Sequence, residues 1–251
     1  MIAVSKAKAQ QEPETLLDFV KTLVWALAMA MLIRSVFLQP FRIPSGSMQP
    51  SLQVGDYIVV SKWSYGFSRF SFAPFVFLPK GRVLAGQPKR GDVIVFRPIH
   101  EPNVDYVKRL IGLPGDEIQM KGGVLFINGE AVQREFLGLR DFKEESGNFV
   151  RLSAYQERMP NGKTYTTFDR QPDNLLDDTP VYRVPAGNYF FMGDDRDNSD
   201  DSRQNVGYVP FERLVGKAEF VFASWEPQTS LLKPWTLFTD FRPERFAKGI
   251  K

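Results

Sequence analysis

The sequence predicts a mainly β protein preceded by one long apolar helix. Three observations carry that expectation. Leu16 to Leu38 is the longest apolar segment in the chain, and after Pro40 the pattern changes to short runs of β-branched and aromatic residues. Four Gly-Asp steps, Gly55-Asp56, Gly91-Asp92, Gly115-Asp116 and Gly193-Asp194, stand beside those runs as turn signals.

Residues 1–15 are small and polar, with Lys6 and Lys8 set against Glu12 and Glu14, and read as a flexible tail. Residues 16–38 read as a transmembrane anchor. As a helix rising about 1.5 Å per residue they reach roughly 34 Å, against about 30 Å of hydrocarbon. Asp18, Lys21 and Arg34 lie near the ends, where long side chains snorkel. Two other readings compete. A cleaved signal peptide needs its small-residue site after the apolar run, whereas Ala28-Met29-Ala30 lies inside it. A buried soluble helix fits the shorter uninterrupted stretch from Thr22 to Ile33. Lys6, Lys8 and Lys21 before the run and Arg34 and Arg42 after it give a slight bias toward a cytoplasmic N-terminus.

Residues 39–116 and 186–222 read as one β core, with strands around Tyr57–Val60, Val93–Phe96, Tyr106–Ile111, Tyr189–Met192 and Ala218–Phe222. Within it, residues 64–86 hold an aromatic hairpin, Phe67 to Phe77, that serves either as core strands or as an interfacial membrane contact. Val124 to Val132 reads as a hairpin because Asn128-Gly129 suits the type I′ turn that matches strand twist. From Glu130 to Asp178 the chain is polar and weakly patterned, like an insertion. Residues 223–251 interleave Trp225, Trp235, Phe238, Phe241 and Phe246 with basic residues, and read as a membrane-proximal segment or as surface packing.

Composition narrows the chemistry. The absence of Cys removes disulfides, thiol nucleophiles and Cys-based metal sites, and a single His rules out a multi-His metal centre. No metal and no cofactor is expected. The formal charge of +3 and the absence of long basic runs argue against a nucleic-acid partner.

Three segments carry candidate chemistry. Pro44-Ser45-Gly46-Ser47-Met48-Gln49-Pro50 is ordinary turn composition, but such a turn also holds one hydroxyl forward while nearby donors converge as an oxyanion hole. A serine of this kind needs a base. His100 sits in the polar, Pro-flanked loop Ile99-His100-Glu101-Pro102 and reads as exposed. Lysine is the alternative base once burial lowers its pKa. Lys108 is the best placed, sharing a strand face with Tyr106 and Leu110, although an edge lysine that blocks sheet pairing gives the same pattern. The third segment, Gly193 to Arg203, fails the EF-hand order for want of a Gly after the Asp195, Asp197, Ser199 series. It reads as a loop held by Arg-carboxylate pairs or as a solvated turn.

In this order behind an N-terminal apolar helix, these segments resemble bacterial type I signal peptidases. The motifs are PSGSMQPSLQVGDYIVVSK at 44–62, RGDVIVF at 90–96, YVKRLIGLPGDEI at 106–118 and MGDDRDNSDDSR at 192–203. The resemblance implies a membrane-bound Ser/Lys endopeptidase with Ser47 as nucleophile and Lys108 as general base. It places the Ser45 hydroxyl with the Ser47 N–H in the oxyanion hole, and makes Ser199 the residue that orients the lysine amine. Asp201 would partner Arg203, with Asp194 bracing the same loop. Phe41, Ile43, Ile58, Val95, Tyr106 and Val107 would line or border the small substrate pockets. The implied fold has two antiparallel β-sheet regions, the second an inserted region formed largely by 117–185.

The implied partners are exported preproteins and the lipid bilayer, and the implied place is the bacterial inner membrane with the catalytic domain on its outer face. Cleavage would follow Ala-x-Ala-like sites. Asp195 stands where many members have Asn, adding a negative charge near the lysine loop, and Ser51 replaces a frequent Thr. Two rivals remain at this level: a self-cleaving repressor of related Ser/Lys type, and a non-catalytic membrane-tethered β domain that binds an envelope partner. Oligomeric state is not legible.

Overall fold

The computed structural model describes residues 15–36, 38–68, 81–143, 148–172, 174–230 and 232–250, with the side chains of 31–38 and 143 left aside. Helix α1, Leu16–Val36, opens with a capping box in which Thr15 Oγ1 accepts from the Asp18 N–H at 3.3 Å and the Thr15 N–H donates to Asp18 Oδ2 at 3.3 Å. Its described apolar side chains are exposed around the helix, Leu16 and Trp25 among them.

The expectation of a membrane-crossing anchor over 16–38 is corrected. Among the described residues no helix is long and apolar enough to cross a membrane. Asp18 and Lys21, 3.6 Å apart, occupy the start of α1. The uninterrupted stretch from Thr22 to Ile33 then gives about 18 Å of helix, short of a hydrocarbon layer about 30 Å thick.

The strands follow in chain order as β1 Leu38–Arg42, β2 Asp56–Ser61, β3 Phe67–Ser68, β4 Arg82–Val83, β5 Val93–Phe96, β6 Tyr106–Gly112, β7 Glu117–Lys121, β8 Val124–Ile127 and β9 Glu130–Ala131. They continue as β10 Gln133–Lys143, β11 Phe149–Arg158, β12 Thr164–Asp169, β13 Tyr182–Arg183, β14 Asn188–Met192, β15 Val209–Pro210, β16 Leu214–Ser224 and β17 Lys248–Gly249. The protein is mainly β and its strand pairs are antiparallel. The main sheet runs β1-β2-β16-β5-β6-β14-β15, with β17 on β16. β13-β7-β8-β9 and β10-β11-β12 form two further sheets.

Local chemistry explains the turns. Asn128 and Gly129 take φ of 53° and 82°, the two left-handed positions a type I′ turn requires, and Ile127 pairs with Glu130 across it. The expected aromatic hairpin at 64–86 is described only at its ends, where β3 pairs β4; residues 69–80, including most of the Phe67–Phe77 run, lie outside the described residues, as does the tail at 1–14. The stretch read as weakly patterned forms the long strands β10 and β11.

Two apolar clusters flank the site. Ile43, Met48, Leu52, Ile58, Val60, Val93, Val95, Val215, Ala218 and Val221 pack together, with Phe41 and Val107 partly buried against them. Ile94, Phe96, Leu110, Phe191 and Leu214 form another, joined by Tyr106. The C-terminal segment is fastened back onto β2, because Arg245 Nε donates to buried Asp56 at 2.7 Å. It leaves Trp235, Phe238 and Phe246 exposed.

Candidate active site

The turn after β1 places the first candidate. Ser45, extended at φ −135° and ψ 157°, leads into a 3-10 turn over Gly46–Met48. Met48 and Leu52 are fully buried, and the Leu52 N–H donates to Met48 O at 2.9 Å, so the apolar cluster anchors the turn from below. Ser47 is held inward at 8% exposure while Ser45 stays exposed. The Ser47 N–H lies in the first turn of this short helix, where donors have no intrahelical acceptor.

β6 supplies the second. In register with Ile94 of β5, Lys108 is 4% exposed, and its Nζ hydrogen-bonds Ser47 Oγ. The Tyr106 ring lies 5.8 Å from Nζ on the same strand. No carboxylate of the described residues forms an ion pair with this amine. Burial pulls its pKa from 10.5 down to about 8, against the upward pull of Asp201, Asp200 and Asp194, while Arg203 helps lower it.

The polar loop after β14 frames the pair. Asp201 accepts from Arg203 Nε at 3.0 Å and Nη2 at 2.8 Å, and also from the Gly193 N–H at 3.0 Å. Burial opposes its charge, yet Arg203 and these donors hold its carboxyl below the ordinary value. Asp194 does not bind Arg203. It ties the loop to β6, accepting from Arg109 Nε at 2.7 Å and Nη2 at 2.6 Å. Gly193 is required by close approach: a Cβ there would stand 2.2 Å from Ser199 Oγ and 2.5 Å from Ser47 O.

Two expectations change. Ser199, expected to bond the lysine amine, lies buried in the wall by Gly193, and its Oγ has no hydrogen-bond partner among the described residues. Asp195 was expected to weigh on Lys108, but its buried carboxylate is paired with Arg170, whose Nη2 donates at 3.0 Å. Burial raises the Asp195 carboxyl, opposed by Arg170.

Of the expected pocket residues, Ile43, Ile58, Val95, Phe41 and Val107 share one cluster, whereas Tyr106 belongs to the other, beside the amine. His100 is exposed, 3.9 Å from Glu101. Sequence reasoning missed Arg109, Arg170 and the buried anchor of the Ser47 turn, Met48 and Leu52. Met48 sits inside the PSGSMQP motif, one residue from Ser47, which was the available signal. Arg170 had none.

Known proteins define the class. Residues 16–225 match the family described as signal peptidase, peptidase S26. Signal peptidase I of Rickettsia massiliae (strain Mtu5) is 41% identical over 231 residues, covering 84% of this chain and 85% of that protein. That of Rickettsia canadensis (strain McKiel) is 40% identical over 234 residues, covering 86% and 87%. A solved signal peptidase I from Enterococcus faecalis V583 is 26% identical with a TM-score of 0.31, covering 52% of this chain and 96% of that one. The class is therefore a hydrolase, a serine peptidase that removes signal peptides. Within it, the chain belongs to the signal peptidase family, peptidase S26.

Proposed function

We propose that Ser47 is the nucleophile and Lys108 its general base, and that cleavage follows Ala-x-Ala-like sites of exported preproteins. The observation that carries this reading is the contact of a buried amine, drawn down to about 8, with the Ser47 hydroxyl. A hydroxyl attacks poorly at neutral pH unless a neutral base accepts its proton.

In this reading the signal peptide lies along open strand edges. Among the described residues β14 pairs β6 only at Arg109, Leu110 and Gly112, which leaves Tyr106–Lys108 paired on the β5 side alone, and β1 pairs only β2. Such edges accept an extended chain by adding a strand. Alternate side chains then enter the apolar cluster of Ile43, Ile58, Val95, Phe41 and Val107, where branched walls favour Ala.

Ser47 Oγ attacks the scissile carbonyl as Lys108 Nζ takes its proton. The Ser47 N–H and the Ser45 hydroxyl hold the oxyanion. Collapse breaks the C–N bond, and the lysine ammonium returns the proton to the departing amine of the mature protein. The neutral lysine then takes a proton from water, whose oxygen attacks the acyl-serine; collapse breaks the ester C–O bond, the ammonium returns that proton to Ser47 Oγ, and the freed carboxylic acid of the signal peptide ionises. Loop residues Asp194, Asp201 and Arg203 hold the frame, with Ser199 in its wall.

Signal peptidase I relatives support membrane association. Attachment to a lipid bilayer through the exposed apolar surface of α1, with the catalytic sheet on the outer face of the inner membrane, fits a helix whose described apolar side chains, from Leu16 to Met29, stand exposed. Exposed Trp235 and Phe238 suit the same interface. Mass spectrometry of a preprotein incubated with the wild type and with Ser47→Ala tests the mechanism. The wild type should release the mature chain and trap a serine-reactive acylating inhibitor, and Ser47→Ala should do neither. Cleavage by Ser47→Ala would reject the assignment.

A further inference from the structure

The sheet β10-β11-β12 has no task in the reaction as described, yet the end of β12 meets the polar loop beside the candidate nucleophile. The Phe168 N–H donates to Asp194 O at 2.8 Å, and the Arg196 N–H donates to Phe168 O at 2.9 Å. Phe168 and Asp195 thereby form a parallel bridge. Two residues further, Arg170 grips the loop by three more bonds. Its main-chain N–H donates to Asp197 Oδ2 at 2.7 Å, and its guanidinium donates to Asp195 Oδ1 at 3.3 Å and Oδ2 at 3.0 Å.

Asp195 is fully buried, so its carboxylate has exchanged water for these donors and for Asn198 Nδ2 at 3.3 Å. A buried carboxylate that loses its cation leaves a charge with no compensation, and the segment carrying it rearranges or protonates. The same residue reaches the reaction through its main chain, because the Asp195 N–H donates to Ser47 O at 3.2 Å. One end of Asp195 is clamped by Arg170 and the other holds the residue that carries the attacking hydroxyl.

We propose that Arg170 is a positioning residue for the Ser47–Lys108 pair: by pairing its guanidinium with Asp195, beside the main-chain bond to Asp197, it locks the loop to β12 and keeps the Asp195 N–H on the Ser47 carbonyl. The planar fork matters, since it engages both carboxylate oxygens and fixes direction as well as charge. The inserted sheet is then part of the catalytic frame. The inference rests on the reading of Ser47 and Lys108 given above.

The test uses the full chain. Active sites are titrated with an acylating serine reagent, and kcat per titrated site and KM are measured on a preprotein. Arg170→Met should lower kcat per titrated site about 10- to 100-fold, the scale of a nucleophile displaced by about 1 Å, with KM unchanged. Arg170→Lys, which keeps the charge and loses the fork, should fall between. Adding Asp195→Asn to Arg170→Met removes the stranded charge without restoring the clamp, so kcat per titrated site should stay below the wild-type value. A purely structural role would reduce the number of titratable sites and leave kcat per site at the wild-type value, and that result overturns the proposal. Full recovery of kcat in the double variant, which would leave Arg170 only the task of neutralising Asp195, overturns it as well. If Arg170→Met does not fold, Arg170→Lys decides by the same reading. A wild type whose Ser47 takes no reagent would reject the catalytic assignment and not this one alone.

Discussion

Lys108 and Arg109 are consecutive on β6 and equally deep, at 4% and 0% exposure, yet the two faces of the strand treat them in opposite ways. Arg109 meets a carboxylate, Asp194, through two short bonds, and lies 4.1 Å from the centre of the Tyr165 ring. Burial opposes its charge, but Asp194 more than offsets this and holds its pKa above the ordinary value. Lys108 meets a hydroxyl, and burial prevails. Depth alone therefore does not decide charge; the facing group does. The strand carries a fixed cation for the frame beside an amine whose pKa burial draws down to about 8.

The largest effect should come from making the two faces alike. Lys108→Arg supplies a group that stays protonated. It should lower kcat/KM about 10²- to 10⁴-fold, as far as Lys108→Ala, the range for loss of a general base. Near wild-type activity would turn Lys108 into an ion-pair residue. For the wild type, kcat/KM should rise with pH through about 8 as the amine becomes neutral. Stability follows the same lysine. Its folded pKa is lowered, so between about 8 and the unfolded value near 10.4 the unfolded chain holds more protons, and stability rises with pH across that window. Lys108→Met should lack that part of the slope in urea unfolding.

The other face should show itself in stability. Arg109→Met strands the Asp194 carboxylate, which is 1% exposed, and should destabilise the fold by about 3–5 kcal/mol. Adding Asp194→Asn should recover much of the loss. Denaturant midpoints decide, and a single variant as stable as the wild type would mean that the pair is not part of the frame.

Legibility in the sequence follows from how local each signal is. β5 and β14 were readable as compact apolar runs beside Gly-Asp steps, and Gly55, Gly91 and Gly115 take the left-handed φ those turns use. Gly193 is glycine for a different reason, the crowding of Ser199 and Ser47 against it, which no turn rule reveals. β16 was read only as Ala218–Phe222 because Gly216 and Lys217 interrupt the apolar run that begins at Leu214; Lys217 Nζ lies 3.4 Å from Glu219 on the same strand. β10 escaped because most of its described side chains are exposed, and β11 because its inward face, Leu152 and Ala154 with partly buried Val150, is short and gives way to polar residues. Ser47 and Lys108 were legible through their motifs. Arg109 pairs with a residue 85 positions away and Arg170 with one 25 away, and composition carries no trace of such contacts.

A smaller effect should appear in substrate choice. Ala before the scissile bond should be preferred over Leu by about 1–3 kcal/mol in kcat/KM, the scale of misfit in a tight apolar site. Ile43→Ala with Val107→Ala opens the wall of the cluster and should narrow that preference, measured with paired preproteins. Equal wild-type cleavage of Ala and Leu substrates would reject the pocket.

The smallest effect concerns Ser199, which sharpens the contrast because its hydroxyl has neither a carboxylate nor a cation. Its Oγ is buried with no hydrogen-bond partner among the described residues. A buried hydroxyl that makes no bond destabilises the fold, so Ser199→Ala should leave stability unchanged or raise it by about 1 kcal/mol. The rate should respond differently. When Lys108 takes the Ser47 proton it becomes an ammonium with three donors, and a free acceptor in the wall then gains a partner it lacks in the resting site. Ser199→Ala should therefore lower kcat while thermal unfolding stays level or shifts upward. A variant that is both less stable and equally active would show that the hydroxyl is bonded at rest and takes no part in the proton transfer.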